Sequence, residues 1–90
     1  MPERNLTLTN KRGLHARAAT KLVQCAQSFS AKVQVYKQTQ CADASNIMSL
    51  LMLAAPCGTE LRVEATGDDA EQALNAIEAL FDARFDEEDS

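Results

Sequence analysis

The spacing of apolar and polar residues changes several times along the chain, and each change marks the boundary of an element. Strict alternation over residues 5–9 and again over residues 31–36 predicts two half-buried strands. Between them, apolar residues recur at i, i+3, i+4 and i+7, which predicts an amphipathic helix over residues 16–29. A polar loop that ends at Gly13 joins the first strand to this helix.

The second half of the chain repeats these patterns less regularly. Residues 37–43 predict a turn and a short third strand, and the apolar, unbranched run at residues 46–53 predicts a short helix before a proline and a glycine. Residues 59–65 alternate clearly and predict a fourth strand. A final apolar stripe at helical spacing follows Asp68, which together with Glu71 predicts a capping box at the start of the last helix.

The order of these elements, β-α-β-β-α-β-α, predicts an α+β fold. Three helices with one apolar face each need a shared sheet, so we expect an open-faced two-layer sandwich in which three helices cover a four-stranded antiparallel sheet. The polar alternates of the strands predict that the other face of the sheet meets solvent. We interpret residues 1–90 as one domain with a single core, and residues 86–90 as a frayed acidic tail.

The composition excludes several classes of protein. Apolar residues make up 46% of the chain and charged residues 24%, which is the balance of a soluble globular domain. No apolar run approaches the roughly 20 residues of a membrane-spanning helix, and the N-terminus lacks a signal-peptide pattern, so we expect a cytoplasmic protein without a membrane partner. The three cysteines are sixteen residues apart and there is one histidine, which predicts reduced thiols, no metal and no cofactor.

Charge is unevenly distributed along the chain. Residues 1–40 carry seven basic side chains and one acid, and residues 41–90 carry two basic side chains and twelve acids, so charges of +6 and −10 combine to the net charge of −4. A basic first half attracts a phosphate or an acidic protein surface. Nucleic acid is not an expected partner, because the chain is acidic overall and its basic residues are not interleaved with aromatic ones.

The single histidine, His15, lies where the first helix begins and is the main candidate for chemistry. The residues before the helix supply none of the usual capping oxygens, so the backbone N–H groups of Ala16, Arg17 and Ala18 are candidates to bind an anion. The Arg17 guanidinium adds donors that suit phosphate oxygens. A neutral imidazole is nucleophilic near neutral pH, so His15 is able to accept a phosphoryl group and pass it on. A surface histidine followed by an arginine also arises by chance, and the residues alone leave the two interpretations comparable.

The stretch from Lys11 to Arg17, K-R-G-L-H-A-R, resembles the active-site signature of HPr, the histidine phosphocarrier of the bacterial phosphoenolpyruvate-dependent phosphotransferase system. Residues 46–53 and 58–67 fit the same family, so the resemblance covers almost the whole chain. It implies that phospho-enzyme I phosphorylates His15 on Nδ1, that Arg17 contacts the phosphoryl group, and that an enzyme IIA accepts it. It also implies an HPr-like sandwich of four antiparallel strands and three helices. Such a protein is a phosphoryl carrier rather than an enzyme.

Two positions depart from the family pattern. Ala18 stands where family members usually have proline, which is expected to cost some rigidity in the first helical turn and to leave function intact. Asn46 stands where many members have a serine that a regulatory kinase phosphorylates, so we expect this control to be absent. Together with the Leu-Leu-Met-Leu run of the second helix and the tail after Arg84, Asn46 makes the chain more similar to the nitrogen-related branch, the NPr paralogues, than to the sugar-system carriers.

The resemblance further implies a docking face on the first two helices, which frame the histidine in the family. Met48 and Met52 are one turn apart and point away from the sheet if their neighbours face it, although the pattern alone equally allows them to pack under a loop. Methionines can repack for different partners, and nearby basic residues attract acidic patches. The expected docking face comprises Leu14, Thr20, Lys21, Gln24, Ile47, Met48 and Met52.

Two alternatives stay open at this point. The first is a general HPr of the sugar-transporting phosphotransferase system, which would donate to a transport-type acceptor. The second is a binding-only regulator that keeps the HPr fold without phosphotransfer, and the retained His15 and Arg17 argue against it. A self-standing enzyme is disfavoured because no second acid or base accompanies His15 in the motif. We expect a monomer.

Overall fold

The computed structural model describes residues 2–86, and its elements follow the expected order. Of the acidic tail expected at residues 86–90, residues 87–90 lie outside the described residues. The elements are β1 (Glu3–Thr7), α1 (Ala16–Gln27), β2 (Lys32–Lys37), β3 (Gln40–Asp43), α2 (Ile47–Met52), β4 (Glu60–Thr66), α3 (Ala70–Asp82) and a C-terminal turn (Arg84–Asp86).

The four strands form one antiparallel sheet in the order β1-β4-β2-β3. β4 pairs with β1 on one side, with Leu61 opposite Leu6, and with β2 on the other, with Val63 opposite Val35. α1 packs against α2 and α3, and α3 packs against β4, β1 and β2. This is the predicted open-faced sandwich, in which the helices cover one face of the sheet.

Alternation along the strands separates the core from the open face. In β4, Leu61, Val63 and Ala65 are buried against the helices, whereas their neighbours are exposed or half-buried on the other side. Each large apolar side chain that leaves water contributes about 1.5–3 kcal/mol. The periodicity of two in the sequence therefore reports directly which face of the sheet carries the core.

The open face is polar, as predicted, and its side chains contact one another. The Arg62 guanidinium lies 4.4 Å from the centre of the Tyr36 ring, and its Nε is 3.1 Å from Glu64 Oε2. The thiol of Cys41 donates to Gln34 Oε1 over 2.8 Å. A hydrogen bond to Cys41 is the main cause that raises the pKa of Tyr36. These contacts connect side chains of β2, β3 and β4 on the open face through polar interactions rather than through apolar packing.

The predicted capping box at Asp68 is wrong. α3 begins at Ala70, its N-cap is Asp69, and Asp69 makes no capping bond with its side chain. Instead, the Asp69 carboxylate accepts hydrogen bonds from the backbone N–H groups of Ser30 and Ala31, each over 2.8 Å. The Asp69 carboxylate thus binds the backbone just before β2, and Asp68, to which the sequence prediction assigned the cap, is not the N-cap of α3.

Two element boundaries also differ from the sequence prediction. β1 covers Glu3–Thr7 rather than residues 5–9, because pairing with β4 extends back to Glu3 and ends at Thr7. α1 ends at Gln27, two residues before the predicted end, where Ser28 begins a turn. In both cases the apolar pattern continues beyond the residues that make the regular hydrogen bonds.

The three cysteines lie at different depths in the fold. Cys25 is half-buried, Cys41 and Cys57 are exposed, and all three are free thiols. Burial raises the pKa of the Cys25 thiol. Within residues 2–86, no helix is both long and apolar enough to cross a membrane.

Candidate functional site

The turn that precedes α1 is built around the carbonyl group of Gly13. Gly13 has a φ of 66°, and its backbone N–H donates to the Asn10 carbonyl over 3.1 Å. Its own carbonyl accepts both the Asn10 side-chain amide, over 2.6 Å, and the His15 backbone N–H, over 3.0 Å. Asn10 is fully buried. Asn10 was predicted only as part of a polar loop, although an asparagine close before a glycine is a known signal for such a side-chain-stabilised turn.

A second loop supports this turn from the other side. The backbone N–H of Leu14 donates to the carbonyl of Ala55 over 2.9 Å, so the chain after α2 holds the residue before His15. The side chain of Leu14 is only 5% exposed and belongs to the core. Its placement in the docking face is therefore corrected: Leu14 anchors the turn from inside and offers almost no surface to a partner.

His15 occupies the N-cap position of α1. Its backbone is extended, with φ −92° and ψ −178°, and its side chain does not cap the helix. The His15 carbonyl accepts the backbone N–H of Ala19 over 2.8 Å, which closes the first helical turn. A helix leaves its first N–H groups without intrahelical partners, and their partial positive charge favours an anion at this end.

The three residues expected to bind the anion through their backbone are not equally accessible. Ala16 and Arg17 are exposed, but Ala18 is fully buried beneath the helix. We therefore restrict the expected anion contacts to the N–H groups of Ala16 and Arg17. Burial of Ala18 also explains why a small residue fits at this position of the first turn.

Basic side chains surround the N-terminal end of α1. Lys11, Arg12 and Arg17 are exposed, while Lys21 is half-buried one turn further along the helix. Lys21 Nζ lies 3.3 Å from Asp86 Oδ2 in the C-terminal turn. This pair could not be predicted from the sequence, because no local pattern indicates that residue 86 returns to α1.

The C-terminal turn that brings Asp86 to α1 is anchored by an aromatic contact. Phe85 is fully buried, and its ring centre lies 5.0 Å from that of Phe81. Arg84, Phe85 and Asp86 all have positive φ angles of 53°, 55° and 58°. This backbone reverses the chain after α3 and directs the Phe85 side chain into the core.

α2 contributes an exposed apolar surface beside α1. Met48 is 63% exposed and Met52 is 74% exposed, whereas Leu50 is fully buried and Ile47 is partly buried. The exposed methionines therefore do not pack under a loop. At the start of the same helix, the side-chain oxygen of Asn46 caps α2 by accepting the Ser49 backbone N–H over 3.1 Å.

Thr20 and Gln24 are exposed on α1, and the Thr20 hydroxyl donates to the Ala16 carbonyl over 2.8 Å. Apart from Leu14, every residue predicted for the docking face retains exposed or partly exposed surface on α1 or α2, which pack together. Across residues 2–86, no three histidine, cysteine or acidic side chains come together as metal ligands. The groups at this end of α1 are an imidazole, a helix N-terminus and guanidinium groups.

A family model described as "PTS HPr component phosphorylation site" matches residues 2–83 of the chain. The chain belongs to the HPr family. It is 46% identical over 85 residues to phosphocarrier protein NPr of Shewanella violacea, which covers 94% of this chain and 93% of that protein. It is 43% identical to phosphocarrier protein HPr of Pseudomonas aeruginosa, over 97% of this chain and 98% of that one.

The fold of this chain is also similar to that of solved HPr structures. A crystal structure of HPr-C-His from Thermoanaerobacter tengcongensis matches 98% of this chain and 99% of its own, with a TM-score of 0.94 and 38% sequence identity. Relatives named HPr and relatives named NPr both match over nearly their full length. The comparisons thus identify an HPr-family phosphocarrier and leave the two branches of the family unseparated.

Proposed function

We propose that this chain carries a phosphoryl group on Nδ1 of His15, receiving it from phospho-enzyme I and donating it to an enzyme IIA. The observation that carries the proposal is the position of His15 as the N-cap of α1, two residues before the exposed Arg17. The imidazole stands at the end of the helix where the dipole favours negative charge. The phosphoryl group originates in phosphoenolpyruvate, and the protein acts as a carrier rather than as an enzyme.

The transfer uses the groups at this end of α1. The Nδ1 lone pair of neutral His15 forms a bond to phosphorus while the bond from phosphorus to the donor breaks, and the donor keeps that electron pair. Arg17 and the N–H groups of Ala16 and Arg17 stabilise the negative charge on the phosphoryl oxygens. Transfer to the acceptor is the same step with the roles of the two partners exchanged, and it returns neutral His15.

The proposal places the chain in the nitrogen-related phosphotransferase system, with a nitrogen-type enzyme I and a nitrogen-type enzyme IIA as partners. Asn46 supports this branch, because its side chain caps α2 through Oδ1 and offers no hydroxyl for a regulatory kinase. The Met48 and Met52 surface supports docking of two different partners, since methionine side chains adapt to more than one shape. We expect the carrier to work as a cytoplasmic monomer.

A general HPr of the sugar-transporting system is the second candidate, and the 43% identity to the Pseudomonas aeruginosa HPr favours it specifically. The two candidates differ in their donors and acceptors rather than in the chemistry at His15. A third candidate, a binding-only regulator, has no chemical need for an imidazole at the N-terminus of α1 with Arg17 beside it.

Labelling with two donors tests the proposal. The intact protein is incubated with phosphoenolpyruvate and either a nitrogen-type or a sugar-type enzyme I, and its mass is followed over time. We expect an acid-labile phosphoryl adduct that forms faster with the nitrogen-type donor. Faster labelling by the sugar-type donor would keep the carrier and overturn the branch, and folded protein without any adduct would favour the binding-only regulator.

A further inference from the structure

Lys37 lies on the side of the sheet where a charged residue is not expected. In β2, Val33 and Val35 are buried against the helices, and Lys37 continues the same register two residues later. Lys32, on the same strand, has the opposite register and is exposed on the open face. A lysine on the helix side of a sheet needs polar partners there, because its ammonium group is costly to bury alone.

The partners of Lys37 are two carbonyl groups at the end of α2. Its Nζ donates to the Leu53 carbonyl over 2.8 Å and to the Ala54 carbonyl over 3.2 Å. The last carbonyls of a helix lack intrahelical partners and carry partial negative charge, so a cation is favourable there. Ala54 follows with a φ of 52°, a backbone conformation that costs a non-glycine residue energy and must be held by its surroundings.

The segment that Lys37 holds leads directly to the turn before His15. The next carbonyl, that of Ala55, accepts the Leu14 backbone N–H over 2.9 Å. A Cβ on Gly13 would come within 2.8 Å of two atoms of Pro56, so this segment and the turn are in close contact. Because the contact has no spare space, a displacement of residues 53–56 moves the turn as well.

We propose that Lys37 is a positioning residue for phosphoryl transfer: by binding the Leu53 and Ala54 carbonyls it fixes the α2–β4 loop, and through Ala55 and Leu14 it fixes the orientation of His15. This inference rests on the proposed function at His15 and goes beyond it. Lys37 makes its hydrogen bonds to the Leu53 and Ala54 carbonyls rather than to His15 or to a residue of the predicted docking face, so we expect it to act on the geometry of the transfer and not on the association with a partner.

The test compares Lys37→Met, which removes the ammonium group and keeps most of the side-chain stem, with Lys37→Arg and Lys32→Met. The protein is the varied substrate of enzyme I, and kcat and KM are measured for each variant. We expect Lys37→Met to lower kcat on the order of tenfold with KM nearly unchanged, since small displacements of a reacting group cost rates of this size. Lys37→Arg keeps donors for both carbonyls and should restore most of kcat. Lys32→Met makes the same change in net charge on the other face and should leave kcat unchanged.

Amide hydrogen exchange gives a measurement that does not depend on any partner. In Lys37→Met the Leu14 amide, which donates to Ala55, should exchange about tenfold faster than in the wild-type protein, as expected for local opening. The Leu8 amide donates to the Thr59 carbonyl over 2.9 Å rather than to a carbonyl of residues 53–55, and it should keep its exchange rate.

The outcomes separate this inference from the proposed function. A wild-type protein that enzyme I does not label would overturn the proposed function and the role of Lys37 in it. Normal labelling with an unchanged kcat in Lys37→Met, or a change in KM alone, would overturn only the positioning role. Equal losses of kcat in Lys37→Met and Lys32→Met would reveal an effect of charge and would overturn the positioning role. Equally faster exchange of the Leu8 and Leu14 amides would reveal general destabilisation and would overturn it too.

Discussion

A Cβ atom built on Gly13 would lie 2.5 Å from the carbonyl oxygen of Ala55. Cβ atoms essentially never approach another atom within 3.0 Å, and Gly13 also has a positive φ of 66°. The loop that carries His15 and the loop after α2 therefore meet where no side chain fits. A glycine is therefore required at position 13 both by this contact and by the turn before His15.

Exchange of Gly13 for alanine should lower the free energy of unfolding by about 3 kcal/mol, because it combines backbone strain with displacement of the opposing loop. Gly58→Ala is the matched control, since Gly58 has a φ of 93° and no atom within 4 Å of a built Cβ. Strain alone should cost that variant about 1 kcal/mol. Urea denaturation measures both values, and equal losses would contradict the importance of the contact.

The role of Arg17 is tested by exchange for lysine, with Arg12→Lys as the control. Both arginines are exposed and both exchanges keep the charge. Arg17→Lys should slow phosphoryl transfer on the order of tenfold, because an ammonium group does not reproduce the forked donors of a guanidinium group. Arg12→Lys should transfer at the wild-type rate. Rapid-quench measurement of phosphohistidine formation provides the rates, and an unaffected Arg17→Lys would remove the proposed role.

The pair of Lys21 and Asp86 should affect association more than stability. An ion pair this exposed, 3.3 Å between Nζ and Oδ2, is worth less than about 1 kcal/mol. Asp86→Asn removes a negative charge beside Lys21, so the association with an acidic partner patch should become faster, most clearly at low ionic strength. Asp82→Asn changes the net charge equally at an exposed position for which the described residues provide no ion pair. Stopped-flow binding at two salt concentrations compares the variants, and identical rates would refute the prediction.

The hydrogen bonds between Asp43 and Ser45 make a pH-dependent contribution to stability. The carboxylate accepts the Ser45 hydroxyl over 2.7 Å and its backbone N–H over 2.8 Å, and these bonds lower the pKa of Asp43. Since the pKa of the folded state is the lower one, the stabilisation is complete above the unfolded-state pKa of about 3.9 and is lost as pH falls through the folded-state pKa.

Ser45→Ala removes the hydroxyl bond, so Asp43 should titrate at higher pH in that variant. An NMR titration of the Asp43 carboxyl carbon measures this directly, and Ser49→Ala serves as the control on the neighbouring helix. A pKa of Asp43 that stays the same in Ser45→Ala would show that the hydroxyl bond does not stabilise the carboxylate.

Elements with a periodic apolar face could be predicted from the sequence because burial itself sets the period. The start of α1 at Ala16 and the buried face of β4 follow from spacing alone, and both agree with the structure. The position of His15 at the helix N-terminus could be predicted for the same reason, since the last residue before the apolar stripe becomes the N-cap.

What the sequence did not reveal depends on contacts between distant residues. The Asp69 carboxylate accepts hydrogen bonds from Ser30 and Ala31 rather than from its own helix. The Leu14 side chain is buried, and its backbone N–H donates to the Ala55 carbonyl. Neither partner lies within one helical turn of the residue concerned, so no local pattern reports it. Phe85 was likewise predicted to belong to the tail that follows Arg84. In the structure its side chain is buried, because residues 84–86 form a left-handed turn.

The most direct test of this account is the intact mass of the wild-type protein and of His15→Ala after incubation with phosphoenolpyruvate and enzyme I. The His15 side chain does not cap α1, so its removal should leave the fold intact, which circular dichroism verifies. We predict one acid-labile phosphoryl group on the wild-type protein and none on the folded variant. A phosphoryl group on His15→Ala would place the acceptor elsewhere and contradict the account.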